Sequence, residues 1–183
     1  EDWEWRQKVA IVRKALVGEL ANDRARWETD LANTYCTQSY LDRLEQWAKD
    51  GGTAPAPSEP ALTSDGWWFM HSANWNLASG SQTLDHFPVD QQLAFAALYD
   101  GIAHRQTDIA NGAYAVERIQ ALIPLGGNAE AMLRLRTEIG ALRQSIRDLR
   151  FNAAYMKRHF DALGVQPDRS DFAPDLANAR CVS

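Results

Sequence analysis

The sequence predicts an all-α protein: an antiparallel bundle of three long helices, one short Trp-rich helix packed across it, and an irregular C-terminal tail. Three observations carry this. Between 128 and 163 the large apolar residues Met132, Leu135, Ile139, Leu142, Ile146, Leu149, Ala153, Met156, Phe160 and Leu163 recur at alternating steps of three and four. Such a repeat puts them in one stripe along a helix of roughly 35 residues, about 50 Å long. Two earlier stretches, 2–49 and 90–123, show the same spacing with no proline inside. Between the periodic stretches lie Pro- and Gly-containing segments that read as loops.

A chain of 183 residues is long enough for one ordinary core, so 1–183 is read as a single domain. With 45% apolar and 23% charged residues the composition is globular, and seven Trp call for a large buried surface. The net charge of -5 excludes a general nucleic-acid binder, which needs a basic face to neutralise phosphates. No run reaches the length a membrane span requires, and no signal peptide is present. The chain opens at Glu1, without Met, already inside an amphipathic pattern. That start suggests that a signal or an anchor stood upstream.

In the first helix, over 2–49, Trp5, Val9, Val12, Leu16, Leu20, Trp27, Leu31, Leu41 and Leu44 mark the buried side. The stripe thins between Asn33 and Ser39, where a bend is allowed. Trp3 and Trp5 beside Arg6 and Lys8 read either as core packing or as an interfacial aromatic belt just outside a membrane. After Asp50, three prolines and two glycines before Ser64 make a semi-extended loop. Ser64 or Asp65 then caps a helix over 65–79 carrying Trp67, Trp68, Phe69, Met70, Trp75 and Leu77. Trp68 and Trp75, seven apart, share a face that suits either packing or a pocket wall.

The third helix, over 90–123, buries Leu93, Phe95, Leu98, Tyr99, Ile102, Ile109, Val116, Ile119 and Ile123, with Asn111-Gly112 as a place for a kink. Pro124, Gly126 and Gly127 end it. The short connection makes it an antiparallel neighbour of the last helix, over 128–163, which Asn128 caps and Gly164 stops. Charge supports the pairing: Asp90, Asp100, Asp108 and Glu117 are placed to flank Arg134, Arg136, Arg143, Arg147 and Arg150. Binding an acidic partner is the lesser alternative for the Arg series. The tail, 164–183, has two prolines and few large apolar residues, and should fray unless held.

Chemistry-bearing patterns are sparse. His71, His86, His104 and His159 form no HExxH, HxxxH or Glu-x-x-His pair, so no metal and no cofactor are expected. No GxSxG, Walker or GxGxxG motif occurs, neither cysteine is set beside a His, and no catalytic residue is assigned. His71, Asn74, His86 and Tyr99 would meet if the short helix folds onto the third, as hydrogen-bonded partners at a junction or, with Trp68 and Trp75, as a ligand site. By number alone, Cys36 and Cys181 are either unrelated thiols or a disulfide tying the tail to the first helix.

Several features together resemble a group of uncharacterised proteobacterial proteins that carry one N-terminal transmembrane helix and a periplasmic helical domain. They are Glu19-Leu20, Cys36 followed by Leu41-Asp42-Arg43, the Pro-rich loop, Trp75, Ala78-Ser79-Gly80, Pro88, Leu98-Tyr99, the Arg-rich helix and Cys181. The resemblance implies a missing anchor, a place on the periplasmic side of the inner membrane, and an oxidising compartment in which a Cys36–Cys181 bridge persists. It brings no catalytic residues and no ligand. The resulting expectation is a non-enzymatic domain working through an envelope protein partner or self-association, tied to the membrane only through a removed N-terminal anchor. The alternative is a small-molecule sensor with its pocket between the Trp-rich helix and the bundle.

Overall fold

The computed structural model describes residues 2–58 and 70–170, and among these it is all-α. Five α-helices, α1 (Asp2–Lys49), α2 (Ala73–Ser79), α3 (Val89–Leu122), α4 (Ala129–Phe151) and α5 (Ala153–Ala162), are accompanied by 3-10 turns at Gln82–His86 and Ile123–Leu125. No strand occurs among the described residues. Trp67, Trp68, Phe69, the expected caps Ser64 and Asp65, and the tail from residue 171 onward, Cys181 included, lie outside them. Likewise among the described residues, no helix is long and apolar enough to cross a membrane.

α1 runs unbroken through Asn33–Ser39, and α3 through Asn111-Gly112. Other boundaries differ from expectation. Of the helix expected over 65–79, residues 65–69 lie outside the described ones and the helix seen is Ala73–Ser79; residues 70–72 are not helical, and they spend backbone groups on side chains. The His71 N–H goes to the Asp23 carboxylate, and the Met70 carbonyl accepts from Gln106 at 2.7 Å. The helix expected over 128–163 is interrupted at Asn152, a weak helix former. Its stripe nonetheless keeps register, since Leu149, Met156, Phe160 and Leu163 are all buried. Leu93, expected inside, is 66% exposed.

Contacts divide the described residues into two units, one from 2–28, 70–106 and 152–170, the other from 29–58 and 107–151. In the second unit the core is apolar. Leu41 and Leu44 of α1, Val116 and Ile119 of α3, and Leu135, Ile139, Leu142 and Ile146 of α4 are all buried in one cluster. Arg143 binds Asp42 at 2.6 Å and Glu45, while Arg150 donates to Thr34 Oγ1 at 3.0 Å. Numbers rise along α4 as they fall along α1, so these two are antiparallel.

The charges here pair otherwise than expected. Arg143 finds its carboxylates on α1, and the bridge from α3 to α4 runs from Arg118 to Glu138 at 3.4 Å, with the cation on α3. Each helix offers charges on more than one flank, and segment totals do not say which flank faces which neighbour. At one end of this unit two glycine pairs meet: the Gly127 N–H donates to the Gly51 carbonyl at 3.0 Å. A Cβ on Gly126 would lie 2.3 Å from the Gly52 oxygen. Trp47 covers the contact, its indole N–H donating to the Ala54 carbonyl at 2.7 Å.

In the first unit α5 lies antiparallel to the middle of α1. Trp27 meets Phe160 with ring centroids 6.1 Å apart, and the buried Arg24 reaches Asp161 at 2.8 Å and the Val165 carbonyl at 2.7 Å. Gly164, at φ +67°, turns the chain as its C′ position requires. The residues just beyond it are held rather than frayed: Val165 is fully buried, and the Asp168 N–H donates to the Ala21 carbonyl at 2.9 Å.

Candidate functional site

The first unit gathers most of its polar chemistry where α1, the segment 70–75 and α3 meet. α1 supplies Glu19 and Asp23, four apart and therefore on one face. Tyr99 of α3 donates its hydroxyl to Glu19 Oε1 at 2.7 Å, and the Asn74 N–H donates to Oε2 of the same carboxylate at 3.0 Å. Asn74 also sends its side-chain amide to the Ala15 carbonyl at 3.4 Å. The Asp23 side chain is fully buried. Its two oxygens share the single His71 N–H, at 2.9 and 3.0 Å, and His71 Nδ1 stands 3.4 Å from Oδ1. Trp75 stacks on the Tyr99 ring, 4.8 Å away and nearly parallel.

Four of the five expected ligand-site residues, His71, Asn74, Trp75 and Tyr99, thus converge, while Trp68 lies outside the described residues. His86 goes elsewhere and stacks on Trp5 at 4.0 Å. The two carboxylates that organise the cluster are absent from the sequence expectation, although a signal for one exists. The apolar stripe of α1 steps by seven from Leu20 to Trp27, and Asp23 fills the vacant inward position. A carboxylate at a core position asks for a partner.

Electrostatics follow from burial. Asp23 is pushed up to about 7, because desolvation outweighs the one N–H it accepts, and the neighbouring Glu19 adds to the rise. Burial, and then the bond to Glu19, drive the Tyr99 hydroxyl well above its ordinary range. Arg24 stays firmly charged: its bonds to Glu28 and Asp161 overcome the penalty of burial. A buried acid near 7 resembles a general acid or base, yet Asp23 is closed to a solvent-borne substrate. Both oxygens of Glu19 are already engaged. The cluster ties the segment 70–75 to α1, and its groups satisfy one another.

An open groove of about 760 Å³ lies elsewhere on the same unit, along the first four turns of α1. Arg6, Arg13 and Lys14 stand along it, Trp5, Val9 and Leu163 form its apolar part, and His86 contributes to one side. Among the described residues no group of three or more His, Cys, Asp or Glu is placed to hold a metal ion. Cys36 is half-buried on α1; the proposed partner, Cys181, is outside the described residues. No family model, no curated protein and no solved structure matches the chain.

Proposed function

We propose that the chain is a non-enzymatic helical domain on the periplasmic side of the inner membrane, acting through contacts with an envelope protein or with a second copy of itself. The observation that carries this reading is the mutual satisfaction of the polar cluster: the donors of Asn74 and Tyr99 are spent on Glu19 and that of His71 on Asp23. A sensor pocket would instead leave such groups turned toward a ligand. Apolar side chains are meanwhile left on the surface. Val89 and Leu93, one turn apart on α3, are 68% and 66% exposed, a pair suited to docking against another protein.

In this reading α1, α3 and the stripe running through α4 and α5 form an antiparallel bundle of three long helices, with the Trp-rich segment packed across it. A removed N-terminal anchor is its link to the membrane, and a Cys36–Cys181 disulfide ties the tail to α1. Incorporation of a photo-crosslinking amino acid at position 93, in cells exporting the anchored chain, tests the contact. An adduct with an envelope protein or with a second copy is expected at 93 and not at Arg147. No adduct at 93 would overturn the proposed surface. Alkylation without reduction, followed by mass spectrometry, tests the compartment. Two freely labelled thiols would remove both the bridge and the main support for a periplasmic location.

A further inference from the structure

We infer that the N-terminal part of α1, with the groove along it, is a docking surface for anionic phospholipid headgroups. From Trp5 to Gly18 the chain carries Arg6, Lys8, Arg13 and Lys14 and no carboxylate, in a protein of formal charge -5. Trp3, Arg6, Ala10, Arg13 and Val17 follow one another at steps of three and four, so they share a face of the helix. Arg6 and Arg13 are exposed along the groove, and among the described residues no Asp or Glu lines it. Trp3 is 68% exposed on the same face, and Ile11, two turns further along α1 and off that face, is 69% exposed.

Cations interleaved with exposed Trp and aliphatic side chains suit a boundary that is charged on one side and apolar on the other. A headgroup phosphate satisfies the guanidinium groups of Arg6 and Arg13, while the first methylenes below it meet Val9 and Trp5. Nucleic acid is disfavoured, because the acidic remainder of the chain would repel an extended polyanion. An acidic peptide would satisfy the cations but gives no use to Trp3 and Ile11. This inference goes beyond the proposed protein contacts and does not depend on them, since neither Val89 nor Leu93 lines the groove.

Co-sedimentation of the chain with vesicles provides the test. Partitioning into vesicles containing phosphatidylglycerol should exceed that into pure phosphatidylcholine by about tenfold or more at low salt, and should fall as salt is raised. R6E/R13E should bring it down to the phosphatidylcholine level with circular dichroism unchanged. R6Q/R13Q, a milder change, should give an intermediate loss. R136E/R147E alters net charge equally but on exposed α4 positions, and should retain most of the binding. Trp3→Ala should weaken binding several-fold without changing its salt dependence. Equal partition into both vesicle types, or equal loss in the two Glu double variants, would overturn the site. So would capture of an acidic peptide without vesicle binding, which would reassign the groove to a protein partner.

Discussion

In the second unit α1 meets its neighbours through Leu41 and Leu44, whereas in the first it places Asp23 and Arg24, both buried, between Leu20 and Trp27. Similar helix geometry is thus stabilised by different chemistry. The apolar unit is non-directional and tolerates any shape that fills the space. The polar unit is directional: Asp23 accepts from one N–H of the segment 70–75, and Glu19 accepts from another and from Tyr99. In the first unit the acidic residues of α1 are what hold the irregular segment 70–75. Loss of a partner there leaves a buried charge exposed to its full desolvation cost, while loss of a methyl in the second unit leaves only a small cavity.

Putting a charge into the dry unit should have the largest effect. Ile146 is 1% exposed in the apolar cluster, so Ile146→Asp buries a carboxylate with no partner and should cost several kcal/mol, enough to prevent folding. Arg147, one residue on, is exposed and, among the described residues, reaches Gln144 of its own helix. Arg147→Ala should shift stability by less than about 1 kcal/mol. Chemical denaturation of both variants measures the contrast, and similar behaviour would mean that the buried face of α4 is misassigned.

The polar unit should answer to pH in the opposite sense from the dry one. Asp23 is raised to about 7 from 3.8, so the native state holds a proton there that the unfolded chain has released. Its contribution is complete below about pH 4 and is lost as pH rises through 7, a span worth on the order of a few kcal/mol. Glu45 is lowered to about 2 by its hydrogen bonds from Lys49 and Arg143. Its contribution is present above about pH 4.5 and is lost as pH falls toward 2. Asp23→Asn, which mimics the protonated acid, should be nearly neutral at pH 5 and stabilising at pH 8, by hydrogen exchange at amides of the first unit. A variant that lost stability equally at both pH values would show that Asp23 is ionised throughout.

These contrasts also mark what was legible in the sequence. The α4 stripe reads directly, because its inward positions are apolar but for the buried Ser145. The α1 and α3 stripes break where a buried residue is polar or small: Asp23 fills the step from Leu20 to Trp27, and Arg105 the step from Ile102 to Ile109. An apolar scan skips such positions, which is why His71, Asn74, Trp75 and Tyr99 were found without the carboxylates that assemble them. Side-chain hydrogen bonds that replace a helix, as at Met70 and His71, have no periodic signature at all. Leu93 shows the converse limit, a large aliphatic residue at a plausible spacing that faces solvent.

The dry unit has its own directional point, the glycine contact. A methyl on Gly126 would stand 2.3 Å from the Gly52 carbonyl oxygen, which is backbone and cannot rotate aside. Gly126→Ala should therefore cost roughly 1 to 3 kcal/mol by forcing the two connections apart. Thermal unfolding of the variant checks this. Unchanged stability would show that the connections separate freely and that Trp47 alone holds that end of the unit.

Gly140→Ala makes the same chemical change on the exposed face of α4 and should act in the other direction. No heavy atom lies within 4 Å of the added Cβ, so nothing has to move. The helix runs from Ala129 to Phe151, which places position 140 in its interior, where Gly is less favourable than Ala by roughly 0.5 to 1 kcal/mol. Most of that gain comes from restricting the unfolded chain, so it needs no new contact. The melting temperature should rise by about 2 to 4 °C per kcal/mol for a chain of this size. A fall instead would require another surface to lie against Gly140, and would remove the distinction between a glycine kept for close approach and one that the helix merely tolerates.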